Sequence, residues 1–151
     1  NVEMAGYDSR DDRSGNDPFV PNSQLRYLAG YSREIGEELT LGLQYYVEQM
    51  LDYRDYTNTL PAGSVRRDEF RHVVTVRLTK LLMNQDLELS MFAFYSPSDS
   101  DAYLRPHVSY KLSDAWTAEA GANVWFGASD PTFFAQFAKN SNVYAALRYS
   151  F

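Results

Sequence analysis

The sequence predicts an all-β chain, an antiparallel up-and-down transmembrane β-barrel with about eight strands, and three observations carry that expectation. Apolar and polar residues alternate at period two along successive segments, as in strands with one greasy and one wet face. Most of these segments run about eleven to fourteen residues. That is longer than the roughly five or six typical of soluble strands, and a tilted membrane-crossing strand needs about nine to eleven. The connections alternate between short turns and long polar loops, which sorts them to opposite rims of a barrel.

The elements follow in order. "NVEMAGY" (1 to 7) is a short opening strand with Glu3 on its polar parity, followed by a loop from Asp8 to Ser23. Within that loop "DSRDDRSGNDP" (Asp8 to Pro18) is rich in carboxylates but lacks the regular acidic spacing and distal Glu of an EF-hand, so it reads as a solvated loop in which Asp and Arg offset each other. "QLRYLAGYSREI" (24 to 35) sets Leu25, Tyr27, Ala29, Tyr31 and Ile35 against Arg26, Leu28, Gly30, Ser32 and Glu34. After a turn at Gly36-Glu37, "LTLGLQYYVEQML" (39 to 51) sets Leu39, Leu41, Leu43, Tyr45 and Val47 against Thr40, Gly42, Gln44, Tyr46 and Glu48.

A second long loop, Asp52 to Glu69, leads into "FRHVVTVRLTKLLM" (70 to 83). Here the polar parity carries Arg71, Thr75, Arg77 and Thr79, and Lys80 sits on the apolar parity near a strand end where its stem can snorkel. The trio Asn84 to Asp86 then makes a tight hairpin turn into "LELSMFAFYSPS" (87 to 98). A short connection near Ser98 to Asp101 precedes "AYLRPHVSYKLS" (102 to 113), and a turn at Asp114-Ala115 precedes "WTAEAGANVWFG" (116 to 127). The third long loop, Ala128 to Asn140, contains Phe133, Phe134 and Phe137. Such rings are expected to fold back over the barrel mouth, with Tyr53, Tyr56 and Leu60 of the second loop as natural partners. "SNVYAALRYSF" (141 to 151) closes the set at eight strands, the number at which a small barrel can close.

Composition sets bounds. The 151 residues suit a single domain, 1–151, and the absence of Cys excludes disulfides and Cys-based metal sites. A net charge of −6 with no concentrated basic patch argues against nucleic acid as a partner. No apolar run approaches the roughly 18 residues of a membrane helix, a test to which two-faced strands are blind. No residue pattern points to a cofactor or to a metal. The chain starts at Asn1 without a basic-then-apolar leader, as a mature form or a fragment does.

In Val143, Ala145, Leu147, Tyr149 and Phe151 the closing segment resembles the last strand of porin-like Gram-negative outer-membrane β-barrel proteins. In that family a terminal Phe preceded by alternating apolar and aromatic residues is the signal read by the barrel assembly machinery. The turn-and-loop layout extends the resemblance over nearly the whole chain. The resemblance implies a bacterial outer-membrane location with the C-terminus and the tight turns periplasmic and the long loops extracellular. Its implied partners are outer-membrane lipid, lipopolysaccharide and the assembly machinery, and its implied activity is passive, channel-type transport of small solutes. Aromatics near strand ends on the apolar parity, among them Tyr27, Tyr45, Phe70, Tyr95, Trp116 and Phe126, fit interfacial girdles. The short opening strand suggests the C-terminal section of a longer barrel.

With the apolar parity toward lipid, the interior is lined by Arg26, Glu48, Arg71, Arg77, Glu88, Arg105, His107, Lys111, Glu119 and Arg148, together with Glu3, Glu34, Gln44, Thr75 and Asn123. In a closed eight-strand barrel these charges must pair. In a larger one they line a wet channel. Catalysis is not expected: the histidines are His72, on the lipid parity, and His107, without a recognisable nucleophile motif. Two other readings compete with transport. One is a non-conducting barrel serving as an adhesion, envelope-stability or partner-binding scaffold. The other is a soluble lipocalin-like barrel with its apolar face inward. Pairing of "NVEMAGY" with "SNVYAALRYSF" is the feature that separates a plugged small barrel from part of a larger pore.

Overall fold

The computed structural model describes residues 1–127 and 132–151. Its strands are β1 (Val2–Tyr7), β2 (Gln24–Gly36), β3 (Leu39–Met50), β4 (Phe70–Leu82), β5 (Leu87–Ser96), β6 (Asp101–Lys111), β7 (Trp116–Gly127) and β8 (Asn142–Tyr149). A short helix, α1 (Tyr53–Thr59), lies between β3 and β4, and a 3-10 segment (Ala135–Asn140) precedes β8. The strands lie within a residue or two of the runs of alternation, because a strict two-residue repeat leaves one pairing register that keeps the apolar side chains together.

All eight strands form one sheet in chain order, each antiparallel to its neighbours. The all-β, up-and-down expectation therefore holds, but closure does not follow: among the described residues β1 pairs with β2 alone and β8 with β7 alone. Two edges remain open. The ladder between β6 and β7 is interrupted beside Pro106, which has no N–H to donate, and resumes at His107–Gly121. Among the described residues no helix is long and apolar enough to cross a membrane, which says nothing about crossing by strands.

The two rims are built differently. At the turn rim, Met83, Asn84 and Gln85 all adopt left-handed backbone; of these, only Asn visits that region readily, and the compact reversal imposes it on its neighbours. Adjacent hairpins are laced across this rim: Leu81 N–H donates to Glu38 O (3.0 Å), Lys111 N–H to Asp86 O (2.8 Å) and Ser150 N–H to Ala115 O (2.9 Å). Lys80, expected to snorkel, donates from Nζ to Glu37 O. At the loop rim, Leu51 N–H donates to Ser23 O and Asn22 Nδ2 donates to Leu51 O, so the first long loop is moored to the end of β3.

The faces are the reverse of a water-soluble sheet. Tyr31, Leu43, Tyr45, Leu89, Met91, Tyr95, Trp116 and Leu147, all on the apolar parity, stand exposed, and Val143 is 84% exposed. The most covered strand residues lie on the polar parity, where Val73 and Thr75 are each 6% exposed, Asp101 1% and Ser96 0%, while Arg26, Arg77, Arg105 and Lys111 on the same face are exposed. Buried apolar side chains among the described residues come to Met50, Tyr56, Val73, Phe134 and Ala135, three of them outside the strands, in α1 and at the start of the 3-10 segment.

On the covered face the Tyr144 ring lies over Gly121, where a Cβ would sit 2.5 Å from its hydroxyl oxygen and 2.8 Å from the Pro106 carbonyl oxygen. A side chain at 121 must displace backbone as well as the ring. Gly121→Val is expected to cost about 1–3 kcal/mol through overpacking, read as a lower urea midpoint in detergent with an unchanged slope. A midpoint equal to the parent's would mean that β7 and β8 do not approach in this register.

Candidate functional site

The site is the polar face, and the strand registers arrange it in rows. Ladder pairs put side chains directly opposite one another on the same side of the sheet. A row near the loop rim joins Arg26, Glu48 and Arg71, and the next but one toward the turns joins Gly30, Gln44, Thr75, Phe94, Tyr103 and Trp125. A third joins Ser32, Gly42, Arg77, Phe92 and Arg105.

The ten expected interior charges divide into paired and unpaired sets. Arg26 Nε lies 3.5 Å from Glu48 Oε2, which also accepts a hydrogen bond from the Tyr46 hydroxyl (3.0 Å), while Arg26 donates to Gln24 as well. Arg71 faces Glu48 in register yet pairs with Asp99 of the β5–β6 connection at 2.6 Å, and its guanidinium also lies 5.2 Å from the centre of the Phe133 ring. Glu119 stands between Arg148 (3.1 Å) and His107 (4.0 Å). Lys111 reaches Asp114 at the turn rim (3.1 Å). Among the described residues no ion pair or side-chain hydrogen bond involves Arg77, Arg105 or Glu88.

The third long loop folds onto this face; its start, residues 128–131 of the expected Ala128 to Asn140 span, lies outside the described residues. Phe134 N–H donates to the carboxylate of buried Asp101 at 2.6 Å. The Phe134 ring packs on Phe94 (5.6 Å) and Tyr103 (6.3 Å), and Phe137 meets Trp125 (6.3 Å). Gly127 permits the approach, since a Cβ there would collide with Ala135. The fold-back of the phenylalanines is as expected, but their partners are not. Tyr53 and Tyr56 pack on each other and hold their own loop, Tyr53 through the Arg67 carbonyl and the Arg66 guanidinium, and Tyr56 through the Arg67 N–H. Phe134 lands instead on an aromatic floor supplied by the strands.

That floor was missed in the sequence. Phe92, Phe94, Tyr103 and Trp125 sit on the polar parity and form a continuous run, with ring centres 4.7 Å apart for Phe92–Phe94, 6.1 Å for Phe94–Tyr103 and 5.0 Å for Tyr103–Trp125. Their signal was the parity itself, because an aromatic on the wet face has no lipid to meet. His72, on the other face, stacks on Tyr45 with its Nδ1 2.7 Å from the Tyr45 hydroxyl. In the first loop the expected offsetting of Asp by Arg is not formed among the described residues. Asp12 instead accepts from Asp17 N–H (2.7 Å) and Ser14 N–H, and the bond from Asp17 above all holds its carboxyl below the ordinary value against the opposing effect of burial. Among the described residues no group of three or more His, Asp or Glu side chains could hold a metal ion.

At the closing strand, Val143, Leu147, Tyr149 and Phe151 point away from the covered face and stay exposed, with Tyr149 packed on Trp116 (4.9 Å) and near Phe151 (6.4 Å). Asp101 is the tether of the folded-in loop. Replacing it with Ala removes a charge-assisted bond of about 1.5–3 kcal/mol and is expected to speed tryptic cleavage after Lys139 about tenfold or more, whereas Asp101→Asn retains an acceptor and part of the protection. Cleavage of Asp101→Ala at the parental rate would refute the tether. Comparisons with family models, with curated proteins and with solved structures returned no match to this chain.

Proposed function

We propose that this chain forms wall and lumen lining of a bacterial outer-membrane β-barrel that passes small solutes passively, its C-terminus and tight turns on the periplasmic side. The observation that carries the reading is the exposure of the sheet's apolar parity: a broad face of large apolar and aromatic side chains stands open, with the charges gathered on the opposite face. Each large apolar side chain left in water forgoes about 1.5–3 kcal/mol of burial, and over the many exposed on this face the sum exceeds the roughly 5–15 kcal/mol that stabilise a typical domain. A hydrocarbon medium removes that cost. A lipocalin-like barrel requires the opposite arrangement, with the greasy parity inward.

The open edges favour a lumen larger than eight strands enclose. In this reading further strands pair with β1 and β8, and the polar face lines water in which Arg77, Arg105 and Glu88 remain hydrated without ion-pair partners. The folded-in third loop narrows that lumen, and Val143, Leu147, Tyr149 and Phe151 serve as the assembly signal facing lipid. The scaffold reading draws support from the same loop, because a plug of this kind suits a barrel that does not conduct.

Conductance separates the two. The full-length protein reconstituted in planar bilayers is expected to give discrete current steps. Silence at every applied voltage, from protein that floats with liposomes and resists carbonate extraction, would remove the transport reading and leave the scaffold.

A further inference from the structure

The middle of the polar face holds an arrangement that the pairing of the other charges does not account for. Arg77 on β4 and Arg105 on β6 both stand directly opposite Phe92 of β5, so their backbones lie about 10 Å apart, two strand spacings. Both are exposed. Nearby carboxylates are engaged elsewhere: Glu48 by Arg26 and Tyr46, Asp99 by Arg71, Glu119 by Arg148, Asp101 by Phe134 N–H, and Glu34 by the Glu38 N–H. Glu88, four residues along β5 toward the turn rim, is the free carboxylate on this part of the face. Two like charges held at this spacing with no counter-ion between them make a positive spot on a wall that is otherwise balanced.

The surface beside the spot is shaped and partly apolar. Gly42 faces Arg77 and Ser32 faces Gly42, so no bulky side chain fills the row on that side. The result is a depression of about 570 Å³, lined among others by Gly30, Gly42, Gln44, Thr75, Arg77 and Phe92. Phe92 is the end of the aromatic run that continues through Phe94 and Tyr103. Guanidinium forks match a carboxylate in a bidentate manner, and the part of the half-buried Phe92 ring left open by Phe94 favours a second flat apolar body.

We propose that Arg77 and Arg105, astride Phe92, form a binding site for small aromatic carboxylates, with the carboxylate held by the guanidiniums and the ring laid on Phe92 above the Gly42 depression. As a solute site it deepens the transport reading and rests on it, and its test is arranged so that the two can fail separately.

Benzoate is the probe and acetate the comparison. In planar bilayers under a salt gradient, the parent is expected to prefer anions, and added benzoate to depress the chloride current at concentrations about tenfold below acetate. Arg77→Gln with Arg105→Gln should abolish both effects, Arg77→Lys with Arg105→Lys should keep anion preference while weakening the benzoate block, and Phe92→Ala should bring benzoate down to the level of acetate. Heat-modified gel mobility identifies folded variants, and the lysine pair serves if the glutamine pair does not fold. A conducting parent that ignores the sign of the ion, or that benzoate blocks no better than acetate, overturns the site and leaves the channel standing. If no current is seen, benzoate binding to detergent-solubilised protein, read by quenching of tryptophan emission, decides: saturable binding lost in the arginine variants upholds the site without transport, and its absence ends the proposal.

Discussion

Antiparallel pairing along seven consecutive ladders assigns every side chain of the sheet to one of two faces, and the rest of the molecule depends on that assignment. The repeat is two residues, so a slip of one position would send Tyr45, Leu89 and Met91 to the side of Arg71, Arg77 and Glu88 and reverse both faces at once. The turns hold the register by locking neighbouring hairpins together at one rim. With the faces fixed, the polar side gathers the charges, the aromatic floor and the folded-in loop, and the apolar side is left for whatever medium surrounds it.

The strands were legible in the sequence because alternation is a local property, and a run such as 70 to 83 states its own period without reference to the rest of the chain. So were the parities of Arg26, Glu48, Glu119 and Arg148. Which charges meet was less legible, because a row is set by register between strands. Arg71 faces Glu48 across the ladder, yet the nearer geometry of a connecting loop gives it Asp99. The aromatic floor was hidden for a different reason: Phe92 and Phe94 look like hydrophobic noise on a polar parity until β6 and β7 bring Tyr103 and Trp125 beside them. Closure was not legible either, since whether β1 meets β8 turns on strand tilt, shear and the total number of strands, none of which one strand's pattern contains.

The polar face also shows how a sheet manages charges away from bulk water. Glu119 serves two neighbours, the Arg148 guanidinium and the His107 ring, and Glu48 is held by a guanidinium and a phenol together. Sharing of this kind satisfies several oxygens with few residues, as partly covered ionic groups require. Around Arg77 and Arg105, both exposed, the described residues supply no such partner.

The nearest-neighbour order of the strands carries a consequence for how the chain reaches this state. Each ladder joins segments adjacent in sequence, so every hairpin can form by closing a loop of modest length, and growth can proceed from any hairpin in either direction. The steps differ in difficulty: the reversal at Met83 to Asp86 brings two strands together across a few residues, whereas the Asp8 to Ser23 and Asp52 to Glu69 connections must first be drawn in. The hairpins β2–β3, β4–β5 and β6–β7, all with tight turns, are therefore the natural seeds, and β1 and β8, each held along one side only, are the last to become fixed and the first to fray.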